Sequence, residues 1–201
     1  FAEEEKDIRG KLDRESVRKK YLLYDADSPV SVPMVELQNM SIAATDAGQS
    51  VIRVLQGTMQ GIRVTEFNWD NGSKAGSYVG FIGRNTGTLQ FVDFENSKIS
   101  GGKASDRLGC VADNRGSMEY VRAKDIRISN AVATTTNRVG GLIGYNANGI
   151  THCSAVGTKT DEDYNFSVDI STAAGGKSQY TGGLVGQSDG YATFCYVDQV
   201  K

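Results

Sequence analysis

The sequence is poor in the residues on which many metal and catalytic sites depend. Its 201 residues include one histidine, three cysteines, two prolines and one tryptophan. A single histidine excludes an HExxH metalloprotease site within these residues, because that motif needs two. The cysteines form no CxxC pair, so no zinc site is predicted. With only two prolines, the chain is not a proline-rich low-complexity segment.

Charge of one sign and long apolar runs are also lacking. The formal net charge is −2, which gives no reason to expect binding to nucleic acid or to an anionic membrane. No stretch approaches the ~18 consecutive apolar residues of a transmembrane helix, and no signal peptide is visible. The chain opens with Phe-Ala-Glu without a methionine and ends directly after a repeat. We therefore expect it to be continuous with a longer polypeptide.

Glycine, in contrast, is abundant and falls within an internal repeat. There are 24 glycines, clearly above the usual ~7%. The best copy is VGGLIGYNANGITHCSAV at 139–156, with Gly144 as its anchor. Two apolar residues precede each anchor. Asparagine or serine usually stands two positions after the anchor, and mostly apolar residues stand six, nine and eleven positions after it. Copies are anchored at Gly83, Ala112, Gly144 and Gly186, with a weaker one near Gln56.

This repeat predicts an all-β fold. The apolar runs are short, contain Val, Ile, Phe and Tyr, and end at Gly, Asn, Asp or Ser, as strands do. The anchors are roughly 27 to 42 residues apart, which is typical of a solenoid and mostly too short for a propeller blade. We predict a parallel β-helix of about five coils over residues 32–201, right-handed by the general rule for parallel crossovers. Glycine at the anchor suits a tight bend or a positive φ, and the repeated asparagine tolerates the left-handed region.

Residues 1–31 are predicted to be a separate N-terminal lead-in or cap. The segment is dense in charge, and Ile8, Leu12 and Val17 give it only a thin apolar stripe. A marginal helix or a flexible lead-in fits this composition, and a cap helix over the first coil is the alternative. Residues 32–44 are predicted to be a strand pair that enters the solenoid.

One column of the repeat is aromatic and has two interpretations. It contains Phe91, Tyr120, His152 and Phe194. The rings either stack at a corner and stabilise the fold, or form an exposed stripe that holds sugar rings or a peptide. The long insertion at 157–180 and its surroundings supply further candidate contacts, namely Tyr164, Tyr180 and Tyr191.

The remaining chemical candidates are given structural roles. Cys110, Cys153 and Cys195 occupy predicted core positions, where a free thiol behaves as a small hydrophobe. Cys153 and Cys195 are expected to be stacked neighbours, so a disulfide between them is sterically conceivable. Directly stacked strands usually set the Cβ atoms too far apart, however, and reduced thiols are expected. Asp93 and Arg122 share an outward column of mixed character that resembles ordinary surface.

An oxygen-ligand loop is suggested only in part. The sequence DEDYN places Asp161, Asp163 and Asn165 at alternate positions, but it lacks the glycine and the distant glutamate of an EF-hand. We therefore predict no catalytic residue, metal or cofactor in these residues, and a protein that is not an enzyme.

The glycine-rich cores resemble a known repeat. Two segments resemble the GLUG motif, namely GGLIG at 140–144 and GGLVG at 182–186. Each is followed by an apolar residue, and a cysteine stands three positions after that residue. The resemblance extends over about 78–200. YVGFIG at 78–83 and RLGCVA at 107–112 lack the double glycine, so a different turn is expected there.

The resemblance implies a location and a function. GLUG repeats occur in large bacterial surface proteins, among them adhesin-like proteins, and in the non-catalytic region of IgA-specific metallo-endopeptidases. It therefore implies an extracellular or cell-surface, non-catalytic module that acts as a binding surface or spacer, with a host glycan or extracellular protein as partner. Two alternatives stay open: an accessory region of a large surface metalloprotease, and a degenerate polysaccharide-active β-helix.

Overall fold

The computed structural model describes residues 35–38, 41–43, 50–70, 75–101, 104–130, 136–158, 169–172 and 179–198, all within the unit Met34–Lys201. These residues form β-strands and no helix, so the all-β prediction is confirmed. Consistent with this, the described ranges contain no helix long and apolar enough to cross a membrane. The lead-in or cap predicted over 1–31 lies outside the described residues.

Twenty strands are present in the described ranges. In chain order they are β1 (Val35–Gln38), β2 (Ser41–Ala43), β3 (Ile52–Leu55), β4 (Thr58–Thr65), β5 (Asn68–Asp70), β6 (Ala75–Val79), β7 (Ile82–Asn85), β8 (Thr88–Gly101), β9 (Ala104–Leu108), β10 (Val111–Asn114), β11 (Ser117–Asn130), β12 (Asn137–Gly140), β13 (Ile143–Asn146), β14 (Ile150–Thr151), β15 (Ser154–Val156), β16 (Asp169–Thr172), β17 (Gln179–Gly182), β18 (Val185–Ser188), β19 (Ala192–Thr193) and β20 (Tyr196–Asp198).

The strands form three sheets, and every pairing among the described residues is parallel. The first sheet has the order β1-β4-β8-β11-β14-β19, with β2, β5, β15, β16 and β20 joined to it. The second has the order β18-β13-β10-β7-β3, and the third β17-β12-β9-β6. From β6 onward the chain visits the third, the second and then the first sheet, and this order repeats. The parallel pairing predicted from the repeat is therefore confirmed.

The register of these pairs matches four of the predicted anchors. Ile82 pairs with Val111, Val111 with Ile143, and Ile143 with Val185, so each residue just before an anchor lies beside its counterpart. Side chains that meet in successive repeats are separated by 29, 32 and 42 residues along the chain. The growing separation reflects insertions between strands, because the paired segments themselves keep their length.

The fifth anchor, near Gln56, is wrong by three residues. Ile52 pairs with Ile82, so the equivalent of Gly83 in this copy is Arg53. This segment has two pairs of consecutive apolar residues, Val51-Ile52 and Val54-Leu55, and neither pair precedes a glycine. Hydropathy alone therefore could not choose between them, whereas hydrogen bonding to the neighbouring strand fixes the register.

The double glycine does change the turn, as expected. Leu108 pairs with Val139, but after the turn Val111 pairs with Ile143. The sequence separation of the paired residues is therefore one residue larger after the turn than before it. The segment with two glycines accommodates the extra residue. Upstream, β1 and β2 confirm the strand pair predicted within 32–44, since they pair with β4 and β5.

The core lies between the sheets and is built from the apolar columns of the repeat. These columns are Leu89, Met118 and Ile150; Val92, Val121 and Cys153; and Phe94, Ala123 and Ala155, all almost fully buried. Toward the upstream repeats, aromatic rings fill the interior: Phe81 packs edge-on against Phe67 at 5.2 Å and against Phe94 at 5.6 Å between ring centroids. Burial of such side chains is the main source of stability for this arrangement.

The anchor glycines are required for close approach rather than for an unusual φ. A Cβ on Gly144 would lie 2.8 Å from the carbonyl oxygen of Ala112, and a Cβ on Gly186 would lie 2.6 Å from the amide nitrogen of Val139. Neither glycine has a positive φ, so that part of the prediction is wrong for these anchors. The backbones of neighbouring repeats pass too close for a side chain at this position.

Candidate functional site

The aromatic column forms a continuous stack of rings, which we call the ring column. Its members are Phe91, Tyr120, His152 and Phe194, and successive centroids lie 5.1, 4.6 and 5.0 Å apart. The planes differ by 2°, 18° and 22°. Parallel pairing of the first sheet places each residue beside its counterpart in the next repeat, so four rings that are distant in sequence meet face to face.

The ring column lies at a corner with a left-handed backbone. Its four residues have φ values of 54°, 53°, 52° and 54°, and Gly61 has a φ of 65° at the equivalent position of the preceding repeat. A bulky residue in this region costs roughly 1–2 kcal/mol. Each stacked pair contributes about 0.5–1.5 kcal/mol beyond its buried area, which offsets much of that cost. Strained residues that persist in this way are candidates for a function.

The ring column is accessible along its edge. Phe91, Tyr120 and His152 are half-buried, and Phe194 at the end is 51% exposed. Burial, followed by the charge of Glu119, raises the pKa of Tyr120, so its hydroxyl remains a neutral donor. The Nδ1 atom of His152 is buried and has no hydrogen-bond partner. The exposed edge thus presents mainly apolar ring atoms with one phenol.

A second column, the asparagine column, lies in the second sheet, and its three asparagines are fully buried. It consists of Asn85, Asn114 and Asn146, and ends at Ser188. Each Nδ2 donates to the side-chain oxygen of the next residue, at 2.9, 2.8 and 3.0 Å. The local bond expected for such a residue is also found, from the Gly87 amide to Asn85 Oδ1. None of these asparagines has a positive φ; the left-handed residues are instead those of the ring column and a second set, Glu66, Asn96 and Asp125.

Two of the three further tyrosines predicted as contacts, Tyr180 and Tyr191, do not join the ring column. Tyr191 is 66% exposed, and its ring lies over Gly149, where a Cβ would meet ring atoms. Tyr180 is in the third sheet, where the guanidinium of Arg138 lies 6.0 Å from its ring centroid. Tyr164 falls outside the described residues. The predicted contact residues are thus divided between separate surfaces.

The acidic candidate Asp93 is covered by arginines. Arg122 contacts both of its carboxylate oxygens, at 3.1 and 2.9 Å, and Arg63 lies 3.6 Å away. Burial raises the pKa of Asp93, and Arg122 opposes that change. Arg122 also binds Glu95 at 2.7 Å. Asp93 and Arg122 therefore belong to an ion-pair network around a buried carboxylate. The prediction that their column is ordinary surface is wrong.

The cysteines differ in their surroundings although all three are unbonded. Cys110 and Cys153 are fully buried, and burial raises the pKa of both thiols. Cys195 is half-buried, and a hydrogen bond from Cys153 lowers its pKa to about 7. Of the three, Cys195 is therefore the thiol that ionises near neutral pH.

Metal-binding groups do not converge in the part of the chain that the structure describes, where no three His, Cys, Asp or Glu side chains are close enough to hold an ion. The half-loop of Asp161, Asp163 and Asn165 lies outside the described residues, so the structure does not bear on it.

Sequence reasoning missed a chain of arginine and tyrosine side chains on the second and third sheets. We call it the arginine–tyrosine ladder; its members, in spatial order, are Arg84, Tyr78, Arg107, Tyr145, Arg138 and Tyr180. Successive guanidinium-to-ring distances are 4.8, 5.0, 4.9, 5.5 and 6.0 Å. A usable signal existed, because polar residues recur one position after each anchor, beginning with Arg84 and Asp113.

Comparison with known proteins agrees with the repeat pattern. No curated protein and no solved structure matches the chain. The family model of the GLUG motif matches residues 135–160. That segment holds the turn before Gly144, the buried Asn146 of the asparagine column and His152 of the ring column. The chain is thus a GLUG-motif protein, with the motif at residues 135–160.

Proposed function

We propose that this chain is a non-catalytic β-solenoid module, a parallel β-helix, of a bacterial cell-surface or secreted protein. Three parallel sheets visited in a fixed order, with in-register pairing of successive repeats, support the solenoid. The GLUG motif supports the surface location through the kind of protein in which it occurs. In this proposal the module acts as an adhesin-like binding surface or as a rigid spacer.

The observation that carries the binding role is the ring column. Four stacked rings occupy backbone positions that glycine would adopt without strain, and the end ring is half exposed. A flat, rigid edge of ring atoms loses little conformational entropy on binding. Sugar rings and extended peptides are ligands whose apolar faces can lie along such an edge. We propose a host glycan or an extracellular protein as the partner.

Binding to immobilised host glycans and to host cells tests this role. The purified chain is compared with the variant Phe194→Ser, which changes the most exposed ring of the column. The matched control is Val54→Ser, since Val54 is 41% exposed but lies in the second sheet. We expect Phe194→Ser to weaken binding several-fold and Val54→Ser to leave it unchanged. Equal binding by all three proteins would show that Phe194 is not a contact, and no binding by the unmodified chain would leave only the spacer role.

A second experiment addresses the tyrosines outside the ring column. If Tyr164, Tyr180 and Tyr191 contribute contacts, replacing all three with alanine weakens binding of the same ligand. Full retention of binding would restrict the contact surface to the ring column.

A further inference from the structure

The arginine–tyrosine ladder is organised around a buried carboxylate. Asp113 is fully buried, and its Oδ2 atom receives Arg84 at 2.9 Å, Arg107 at 3.1 Å and Arg115 at 2.9 Å. Three guanidinium groups thus share one carboxylate, which leaves two positive charges uncompensated at this point. The Nε atom of Arg107 is buried without a hydrogen-bond acceptor, and its Nη1 atom contacts Asp113 as an ion pair without hydrogen-bond geometry.

A fourth arginine, Arg138, extends this group along the ladder. Arg138 donates through Nε to the neutral amide oxygen of Gln187 at 2.5 Å. The second acidic side chain at this face, Asp189, accepts a hydrogen bond from the hydroxyl of Tyr145 at 2.5 Å. Four arginines therefore stand against two aspartates among the described side chains of this face.

The ladder is also rigid and periodic. Tyr78 pairs in register with Arg107, Arg107 with Arg138, and Arg138 with Tyr180, so four successive repeats contribute one residue each to the third-sheet part of the ladder. Neighbouring parallel strands lie about 4.8 Å apart, which sets the spacing of these groups. Rings hold the guanidinium planes in place, so little side-chain entropy is lost when an anion binds.

We propose that the arginine–tyrosine ladder, together with Arg115, binds an acidic polysaccharide through its sulfate or carboxylate groups. Guanidinium groups bind both anions with two parallel hydrogen bonds. The side chain of Arg115 is 47% exposed and that of Arg84 is 33% exposed, so both reach solvent. A polymer with regularly spaced anions matches the periodic row better than an irregular acidic peptide does.

The same geometry disfavours nucleic acid as the ligand. Single-stranded nucleic acid is bound by aromatic rings that offer their faces to the bases. Here Tyr78 and Tyr145 each contact two guanidinium groups, and Tyr180 contacts one. The ring faces of Tyr78 and Tyr145 are thus already used within the ladder, and what remains there for a ligand is mainly N–H donors and positive charge.

This inference rests on the proposed function of the module as a binding surface. It assigns binding to a face other than the ring column and specifies the class of ligand. The test measures binding of the 201-residue chain to dextran sulfate and to polygalacturonate by titration calorimetry at low and high sodium chloride. Neutral dextran and single-stranded oligo-thymidine serve as comparison ligands. We expect binding of at least one acidic polysaccharide, weakened by salt, with no binding of neutral dextran.

Two matched variants locate the site. The variant Arg115→Gln removes an exposed charge of the face, and Arg138→Gln removes one from the ladder itself. The control Arg127→Gln removes the same charge from an exposed position of β11 in the first sheet. We expect about tenfold weaker binding for each of the first two, as for one lost charge-assisted hydrogen bond, and unchanged binding for the control. Thermal unfolding confirms that each variant is folded, and Arg115→Gln decides alone if Arg138→Gln is not.

Three outcomes would overturn the inference: no binding of either acidic polysaccharide, equal weakening by Arg127→Gln, or equally tight binding of oligo-thymidine. Phe194→Ser in the same titrations separates the two proposals. If Phe194→Ser loses host-cell binding while the unmodified chain binds no acidic polysaccharide, this inference is overturned and the ring-column proposal stands.

Discussion

The ring column and the asparagine column both stack one residue from each of several repeats, but in opposite settings. The ring column lies at an accessible corner with φ values near 53°, whereas the asparagine column is fully buried in the second sheet. The rings contact each other through their faces and need no exact partner atom. Each buried amide, in contrast, depends on the atoms of its neighbours, because an unpaired polar group in the interior is costly.

This difference indicates which of the two columns tolerates a change of residue. A ring can be replaced by another ring, as the change from Phe91 to Tyr120 to His152 already illustrates. The interior column retains asparagine through three repeats; Leu55 occupies it in the repeat before them, and the exposed Ser188 in the repeat after them. We infer that the asparagine column specifies register and that the ring column is free to acquire a binding role.

The largest effect is expected from interrupting the asparagine column. Asn114→Ala removes the acceptor of Asn85 and the donor to Asn146. The free energy of unfolding should fall by about 2–4 kcal/mol, because two buried groups lose their partners. Urea denaturation measures it. Asn148→Ala, at an exposed position, is the control and should cost less than ~0.5 kcal/mol. Equal costs would mean that the buried ladder adds nothing specific.

A smaller effect with an unusual sign is expected in the ring column. Tyr120→Ala loses two ring contacts and should lower the free energy of unfolding by about 1–3 kcal/mol. Tyr120→Gly should be more stable than Tyr120→Ala by roughly 1 kcal/mol, since glycine adopts a positive φ without strain. The control pair is Glu119→Ala and Glu119→Gly, where glycine should be the less stable, as is usual in a strand. The same order at both positions would contradict the left-handed corner.

Replacing the one polar ring should sharpen the comparison further. His152→Phe keeps the stack between Tyr120 and Phe194 and removes the buried Nδ1 atom that has no hydrogen-bond partner. We expect the free energy of unfolding to rise by about 1 kcal/mol in the same urea experiment, because an unsatisfied buried group is lost. A decrease would show that His152 is held by a polar interaction rather than by its ring faces.

The smallest effect concerns the residues that directly follow His152 and Phe194. Cys153 is fully buried, whereas Cys195, next to Phe194 of the ring column, is half-buried with a pKa of about 7. The thiolate is the reactive form, so alkylation of Cys195 by iodoacetamide should accelerate as pH rises through about 7 and level off above it. Mass spectrometry should find Cys110 and Cys153 unmodified in the folded protein, with unfolded protein as the control. Equal modification of all three would contradict their difference in burial.

Much of the strand arrangement could be predicted because a repeat constrains itself. Apolar positions that recur at fixed offsets from Gly144 must share a column, since each repeat buries its apolar side only against its neighbours. The aligned pairs Ile82–Val111 and Val111–Ile143 confirm this. The copy near Gln56 failed for the complementary reason: without a glycine to fix the offset, two apolar doublets fit equally well.

The sequence by itself thus determined the strands, their parallel pairing and the membership of the columns, because alternation and spacing are local properties. Only the tertiary structure decided that the columns of Asp93 and of the asparagines are buried and which residues are left-handed, since these depend on how closely neighbouring backbones approach. It also assembled the arginine–tyrosine ladder, whose contacts join Tyr78 to Arg107 and Tyr145 to Arg138 across different strands and sheets. Cation–π contacts carry no fixed sequence spacing, so they appear only when the sheets are packed side by side.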